Sequence, residues 1–279
     1  MRNLIEICRP ETIDEALTLL ARSSPRTTVL AGGTELVGQA DPSVEAVVDL
    51  SRLGLDAIRL DDGALRIGAT ATLERIAGDE AVRTVAAGAL ARAAHAATSS
   101  LLRRQATLGG SVVTGQAGEL LALLLALGAE AVVYAPQRAL RPLAEVCQQP
   151  PDSPWLLTEV VIPRRSRIGV SAHCVRRTPS DAPLVAVAAA LTLTNEAVEY
   201  VGTGLAGVGL APARLTAAET ALTGRPLNNR MIEAAVEAAM AGAPALADHR
   251  ASAEYRAHMI GVLLRRALAE SWRMALDPS

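Results

Sequence analysis

The chain has 279 residues, half of them hydrophobic, and an aromatic content of only 2% that includes no phenylalanine. Its net charge of −2 and pI of about 6.1 argue against nucleic-acid binding, which needs a basic surface. The length accommodates two domains, and Ala, Leu and Val must fill their interiors, which favours layers of helices and strands.

The first 165 residues carry alternating helix and strand signals. Thr12 and Glu15 form a capping-box pattern that predicts the start of a short helix. Five prolines between residues 136 and 154 predict a surface loop or flap, and the last strand before residue 165 predicts a domain boundary there. The other predicted elements are strands over 27–30, 46–50, 130–134 and 159–163, a hairpin over 57–68 around Asp62-Gly63, a helix from Leu73, an alanine-rich helix reaching about residue 98, and a helix over 120–127.

The remaining residues, from about 168 to 279, predict a second α+β unit. Gly242 stands where a helix would end in a glycine cap. The predicted strands are 171–176, 187–193 and 198–208, and the predicted helices are 211–222, 229–241 and 252–274.

Two stretches place a glycine pair after a strand-like run: TTVLAGGTEL at 27–36 and ATLGGSVVTG at 106–115. Glycine reaches φ > 0 and brings the backbone close to a ligand, and successive amides in such a turn bind anions. A pyrophosphate fits this chemistry, with Thr34, Thr107 and Ser111 as further hydroxyl donors. Neither pair has the G-x-G-x-x-G pattern of nicotinamide-binding folds, and a plain tight turn explains either pair alone.

The sequence offers little for other kinds of site. Cys8, Cys147 and Cys174 are far apart and form no C-x-x-C pair, and the four histidines lack metal-ligand spacing, so no metal site is predicted. We also predict no catalytic side chain. We expect the Arg103-Arg104 pair, just before the second glycine stretch, to be surface charges, with contacts to a partner subunit or to the phosphates of a bound cofactor as the alternatives. The amino terminus lacks the pattern of a signal peptide, and the longest apolar run, 120–129, is shorter than the ~20 residues of a membrane span. The expectation is a soluble, cytoplasmic protein with no membrane association.

Long motifs carry a family resemblance across nearly the whole chain. The FAD-binding domain of the molybdenum hydroxylases, found in the flavin subunits of xanthine dehydrogenase and carbon monoxide dehydrogenase, resembles VLAGGTEL, VVDLSRLGLDAIRLDDGALRIGATATL and ATLGGSVV. The C-terminal domain of those flavoproteins resembles GVGLAPARLTAAETALTG and DHRASAEYRAHMIGVLLRRAL. The implied fold is α+β, with a two-lobed FAD-binding domain over 1–165, made of two α/β subdomains at about 1–55 and 56–165. A smaller α+β C-terminal domain over 168–279, with a three-stranded antiparallel sheet and helices, would follow.

The resemblance implies FAD as cofactor, with both glycine stretches on its pyrophosphate. Glu119 is the counterpart of an acidic residue on the ribose side of the adenosine half, and Leu157 would lie near the flavin or adenine through its backbone. The implied cofactor-binding residues are Val29, Leu30, Ala31, Gly32, Gly33, Thr34, Glu35, Leu36, Ala97, Thr107, Leu108, Gly109, Gly110, Ser111, Glu119, Leu157 and His173.

The sequence departs from the family pattern in four places. Ser111 stands where asparagine is common, and His173 or Ala172 stands where a lysine is common. Ala97 replaces an aromatic residue that often packs near the flavin, and the flap at about 135–156 is Pro-rich and shortened.

Three functions follow from these patterns. The resemblance implies an FAD-binding electron-transfer subunit, which receives electrons from iron–sulfur clusters on a small partner subunit and passes them to NAD or another acceptor. Substrate oxidation would then occur on a molybdopterin-binding large subunit. The departures motivate a second hypothesis, a stand-alone flavoenzyme acting on a small organic substrate. The third is a binding module without FAD.

Overall fold

The computed structural model describes residues 3–61, 63–152, 154–178, 181–243 and 245–277, and these residues form helices around three sheets. The strands are β1 (Glu6–Cys8), β2 (Thr27–Leu30), β3 (Ala46–Asp49), β4 (Ile58–Leu60), β5 (Ala64–Gly68), β6 (Glu130–Tyr134), β7 (Arg138–Pro142), β8 (Leu156–Pro163), β9 (Gly169–Val175), β10 (Val185–Thr194) and β11 (Ala197–Ala206). The helices are α1 (Ile13–Leu20), α2 (Thr34–Gln39), α3 (Leu73–Gly78), α4 (Glu80–Thr84), α5 (Ala89–Ala96), α6 (Ser100–Arg103), α7 (Leu108–Thr114), α8 (Gly118–Ala126), α9 (Leu143–Gln148), α10 (Thr216–Leu222), α11 (Asn229–Met240) and α12 (Ala253–Leu276).

The first lobe is a parallel sheet in the order β1-β3-β2, with α1 and α2 beside it. The predicted helix start is confirmed, since the Thr12 hydroxyl accepts a hydrogen bond from the Glu15 N–H at 3.2 Å. The Glu15 carboxylate accepts from the Glu11 N–H at 3.0 Å. In a full capping box the Glu15 carboxylate would accept from the N–H of Thr12 itself. Here it accepts from the N–H of Glu11, one position earlier.

The second lobe is an antiparallel sheet in the order β4-β5-β8-β6-β7. The predicted hairpin is present as β4 and β5; Asp62 lies outside the described residues. The prediction of a loop between residues 136 and 154 is wrong for much of that stretch, because β7 pairs with β6 along its whole length and α9 follows it. Pro142 is tolerated there because it ends an edge strand and precedes a helix, where no N–H is needed.

The alanine-rich helix predicted up to residue 98 is broken into shorter pieces. Asp79 ends α3 and caps α4, where its carboxylate accepts from the Val82 N–H at 3.2 Å. Ala86, Ala87 and Gly88 then have positive φ and separate α4 from α5. A run of alanines favours helix everywhere, so apart from Gly88 the local sequence gives no sign of this second break.

The third sheet is antiparallel in the order β11-β10-β9, which confirms the predicted three-stranded sheet. Helix α10 begins five residues later than predicted, because Ala213 still bonds to Leu205 in both directions at 2.8 and 2.9 Å. The expected glycine cap is wrong: α11 ends on Ala241 in right-handed geometry, and Gly242 has no positive φ.

Helix α8 lies between the second lobe and the third sheet. A Cβ atom on Gly202 or Gly204 would lie 2.0 or 1.9 Å from a carbonyl oxygen of α8, so these glycines let β11 pack directly on the helix. Val170, Ala186 and Ala188 belong to the same hydrophobic core as the second lobe. The predicted boundary near residue 165 therefore divides two chain segments that share one core, and it stays a prediction.

No single helix in the described part of the chain has both the length and the apolarity of a membrane span. Helices α7 and α8 meet these criteria only as a pair, and they are bent by 91° at the break between them.

Candidate functional site

A cavity of about 600 Å³ lies between the first lobe and the second. This volume is typical of sites that hold cofactors and other small molecules. The wall contains both glycine pairs and the beginning of β8. The predicted site residues that line it are Val29, Ala31, Gly32, Gly33, Thr34, Glu35, Leu36, Ala97, Thr107, Gly109, Gly110, Ser111 and Leu157.

The first glycine pair connects β2 to α2. Gly33 caps α2 with a φ of 73°, which is the left-handed region that favours glycine. A Cβ atom on Gly32 would lie 1.8 Å from the Gln105 carbonyl oxygen, so the absence of a side chain lets the two lobes touch. The N–H groups of residues 32–36, all of which line the cavity, donate no hydrogen bond within the described chain. Such free N–H groups at a helix start attract anions.

The second glycine pair is built differently from the first, although both follow a strand-like run in the sequence. It follows α6 rather than a strand, and its glycines lie in the first turn of α7. The Leu108 and Gly109 N–H groups donate to the carbonyl oxygens of Ala71 and Ala69 at 2.9 and 2.8 Å. The Gly110 N–H donates to the Thr107 hydroxyl at 3.2 Å, so these amides are not available to a ligand.

The glycine at position 109 serves packing between chain segments. A Cβ atom there would lie 2.8 Å from the Ala69 side chain and 2.9 Å from its carbonyl oxygen. What this stretch presents to the cavity is therefore its hydroxyls. Thr107 keeps its O–H proton for a further acceptor while its oxygen accepts from Gly110. The Ser111 N–H donates to the Thr107 carbonyl oxygen at 2.9 Å, and the Ser111 hydroxyl makes no hydrogen bond to another described residue.

Glu119 does not line the cavity. Its carboxylate accepts hydrogen bonds from Arg176 Nη2 at 2.9 Å and from the Cys174 thiol at 3.1 Å. Burial, and next the Glu119 carboxylate, raises the pKa of Cys174 to about 11. The ribose role that the resemblance implies for Glu119 stays a prediction, and the carboxylate is already engaged in this cluster.

His173, Leu30 and Leu108 are also absent from the lining of the cavity, although the chain neighbours of Leu30 and Leu108 belong to it. The side chain of His173 is engaged elsewhere. Its Nε2 atom is 2.9 Å from a Glu270 carboxylate oxygen and 3.2 Å from the Ser171 hydroxyl. The Ser171 hydroxyl donates to the same carboxylate at 2.6 Å, and this bond, with further help from His173, lowers the pKa of Glu270. These three side chains join β9 to α12.

Two family profiles cover almost the whole chain. Residues 3–165 match the FAD binding domain in molybdopterin dehydrogenase, and residues 172–271 match the CO dehydrogenase flavoprotein C-terminal domain. The chain belongs to the molybdenum hydroxylase flavoproteins. This flavoprotein has FAD as its cofactor and is a subunit of an oxidoreductase.

Relatives of the flavoprotein align from end to end. The carbon monoxide dehydrogenase medium chain of Afipia carboxidovorans is 28% identical over 93% of this chain and 94% of its own. The nicotine 6-hydroxylase medium subunit of Paenarthrobacter nicotinovorans is 29% identical over 96% and 97%. In structure, the carbon monoxide dehydrogenase of Hydrogenophaga pseudoflava that lacks the Mo-pyranopterin moiety shares the fold, with a TM-score of 0.88 at 24% identity over 97% of this chain and 98% of that chain.

The described side chains around the cavity of the flavoprotein supply no positive charge, so backbone amides and hydroxyls are the donors available to an anion. The 27 residues counted as lysine or arginine are all arginines, and none of those that the structure describes lines the cavity, whose ionisable lining side chain is Glu35. Arg103 was expected at the surface but is buried, and it donates to the His95 and Thr98 carbonyl oxygens at 2.8 and 3.0 Å. It therefore fixes the chain after α5, next to the cavity, instead of facing the solvent or a ligand.

Several lining residues escaped the sequence analysis. Thr98, Gln116 and Trp155 line the cavity although they lie outside both glycine stretches, and Thr28 lines it from within the first stretch. Only the packing of the two lobes brings them together. For Trp155 one signal existed, since an aromatic residue is rare in this chain.

Proposed function

We propose that this subunit holds FAD in the cavity between its two lobes and passes electrons from iron–sulfur clusters on a small partner subunit to NAD or another acceptor. Substrate oxidation would take place on a molybdopterin-binding large subunit. The names of the relatives support such an assembly, because they are medium chains or subunits. When bound, FAD supplies the redox chemistry, and the protein supplies binding and orientation.

The observation that carries this proposal is the run of free N–H groups at residues 32–36 beside a cavity whose wall holds none of the described arginines. A diphosphate needs hydrogen-bond donors, and here backbone amides at the start of a helix supply them. The hydroxyls of Thr34, Thr107 and Ser111 add donors from both sides of the cavity. The diphosphate would thus be bound by amides of the first lobe and by hydroxyls of both.

No observation favours the stand-alone flavoenzyme. That hypothesis depended on an altered flap and on His173 shaping a substrate pocket. Of the described residues in the flap at about 135–156, Trp155 and Leu156 line the cavity and those up to residue 152 do not, and His173 does not line it either. Ala97 does line it, but a small side chain alone defines no substrate site.

The function is tested with the purified full chain and its partner subunits. We expect the chain to take up FAD and to show the absorbance band of a bound flavin. Anaerobic mixing with the reduced iron–sulfur subunit should bleach that band, and NAD, a quinone or oxygen should restore it. Bleaching by a small organic substrate without any partner would contradict the proposal, as would a flavin that the reduced partner leaves unchanged.

A further inference from the structure

One aromatic side chain faces the cavity. The chain has five aromatic residues, all within its described part. Tyr134 packs in the core of the first lobe, Tyr200 is covered by Arg165, Tyr255 lies on the surface of α12, and Trp272 packs in the core of the third sheet. Trp155 alone lines the cavity.

The backbone at Trp155 is fixed by a central strand. Trp155 directly precedes β8, which is paired with β5 on one side and β6 on the other. Leu156 and Leu157 pair with Tyr134 and Val133, and the register shifts at Val133. Bulges of this kind occur where a strand re-aims a side chain next to a site. The indole is therefore attached to a rigid element.

The indole is only half-buried and has polar capacity to spare. It packs against the core of the second lobe on one side and borders the cavity on the other. Its N–H donates no hydrogen bond to another described residue and is not among the buried unpaired polar atoms, so it is open to solvent or to a ligand. A flat aromatic surface with a free donor is suited to a planar heteroaromatic ring.

We propose that Trp155 stacks on a ring system of FAD, either the isoalloxazine or the adenine. The inference depends on the proposed position of FAD in this cavity. Both rings are planar π-systems, so the same indole surface recognises either, and different ligands distinguish them.

Two substitutions test the stacking in the full chain. Trp155→Leu removes the ring and should raise the Kd for FAD by about five- to 150-fold, the range for loss of one aromatic stack. Trp155→Phe keeps a ring and should raise it less. Trp272→Phe is the matched control, since it alters a tryptophan far from the cavity wall, and it should leave the Kd unchanged.

The ligands FMN and ADP show which ring is involved. If the isoalloxazine is the partner, Trp155→Phe and Trp155→Leu should increase the fluorescence of the bound flavin, because an indole in contact with a flavin quenches its emission. Both variants should then also bind FMN more weakly. If the adenine is the partner, both variants should bind ADP more weakly and leave the flavin emission unchanged. If Trp155→Leu does not fold, Trp155→Phe still gives both readings.

Trp155 variants that match the wild type in FAD affinity, ADP affinity and flavin emission would overturn the inference. The proposed position of FAD is tested separately by Gly32→Ala, which disturbs the first glycine pair. If Gly32→Ala weakens FAD binding and the Trp155 variants do not, the proposed position of FAD is supported and the stacking on Trp155 is refuted. If Gly32→Ala has no effect on FAD binding, the proposed position of FAD is itself refuted.

Discussion

Replacing Gly32 by alanine places a methyl group in the contact between the two lobes. The new Cβ atom would lie 1.8 Å from the Gln105 carbonyl oxygen and 2.7 Å from its carbonyl carbon. Because real Cβ atoms essentially never come within 3.0 Å of such an atom, one backbone must move by about 1.2 Å, the difference between 3.0 and 1.8 Å. Overpacking of this kind costs about 1–3 kcal/mol of unfolding free energy.

The same movement displaces the N–H groups that follow Gly32. Loss of one hydrogen bond to a charged oxygen costs about 1.5–3 kcal/mol, so the Kd for FAD should rise about ten- to 150-fold. Urea unfolding of the FAD-free chain measures the first effect, and isothermal titration with FAD measures the second.

Gly38→Ala is the matched control, in helix α2 directly after the first glycine pair. A Cβ atom there has no neighbour within 4 Å, and alanine favours helix over glycine by about 0.5–1 kcal/mol. We expect slightly higher stability and unchanged FAD affinity. Gly32→Ala with wild-type stability and wild-type affinity would refute the reasoning about contact between the lobes.

Three further predictions concern charged clusters outside the cavity. Glu119→Gln weakens the bonds to Arg176 and Cys174, so urea unfolding should show that the free energy of unfolding falls by about 1–2 kcal/mol. The affinity for FAD should stay within twofold of wild type. A tenfold weaker affinity would instead support a contact between Glu119 and the ribose. The pKa of Cys174 is raised to about 11 in the folded protein, so the stability that this thiol contributes is present below pH 9 and declines as pH rises towards 11. Cys174→Ser should flatten this alkaline decline in stability. An equally steep decline in the variant would show that Cys174 is not its source. The Arg256 guanidinium, 2.7 Å from Asp248, holds the pKa of the Asp248 carboxyl well below 3.8. The stability that this ion pair contributes is therefore present above pH 3.8 and is lost as pH falls below that value towards the lowered pKa. Asp248→Asn should make the loss of stability in acid less steep, and an unchanged loss would count against the ion pair.

Local patterns predicted those elements whose sequence and surroundings agree. Strands β2 and β6 lie at their predicted bounds, because β-branched residues fit a buried sheet. Helix α12 begins one residue after its predicted start, because the Ser252 hydroxyl caps it by accepting from the Tyr255 N–H at 3.2 Å. The family motifs then identified the cofactor, which no local pattern does.

Elements stabilised by distant segments were not predictable in the same way. The sequence LGGSVVT has two glycines and two valines, yet it is helical, because Thr107 caps it and the backbone of Ala69 and Ala71 accepts its first amides. Strand β7 forms because β6 offers a pairing edge. Likewise, only the approach of the two lobes shows that Gly32 serves packing and that Trp155 borders the cavity.

The central claim is that backbone amides of the first lobe bind the diphosphate of FAD. A crystal structure of the full chain with FAD tests it most directly. The account predicts diphosphate oxygens within about 3 Å of the N–H nitrogens of residues 32–36, with the amides of Leu108 and Gly109 still bonded to Ala71 and Ala69. A diphosphate bound elsewhere, or held by an arginine side chain, would contradict it.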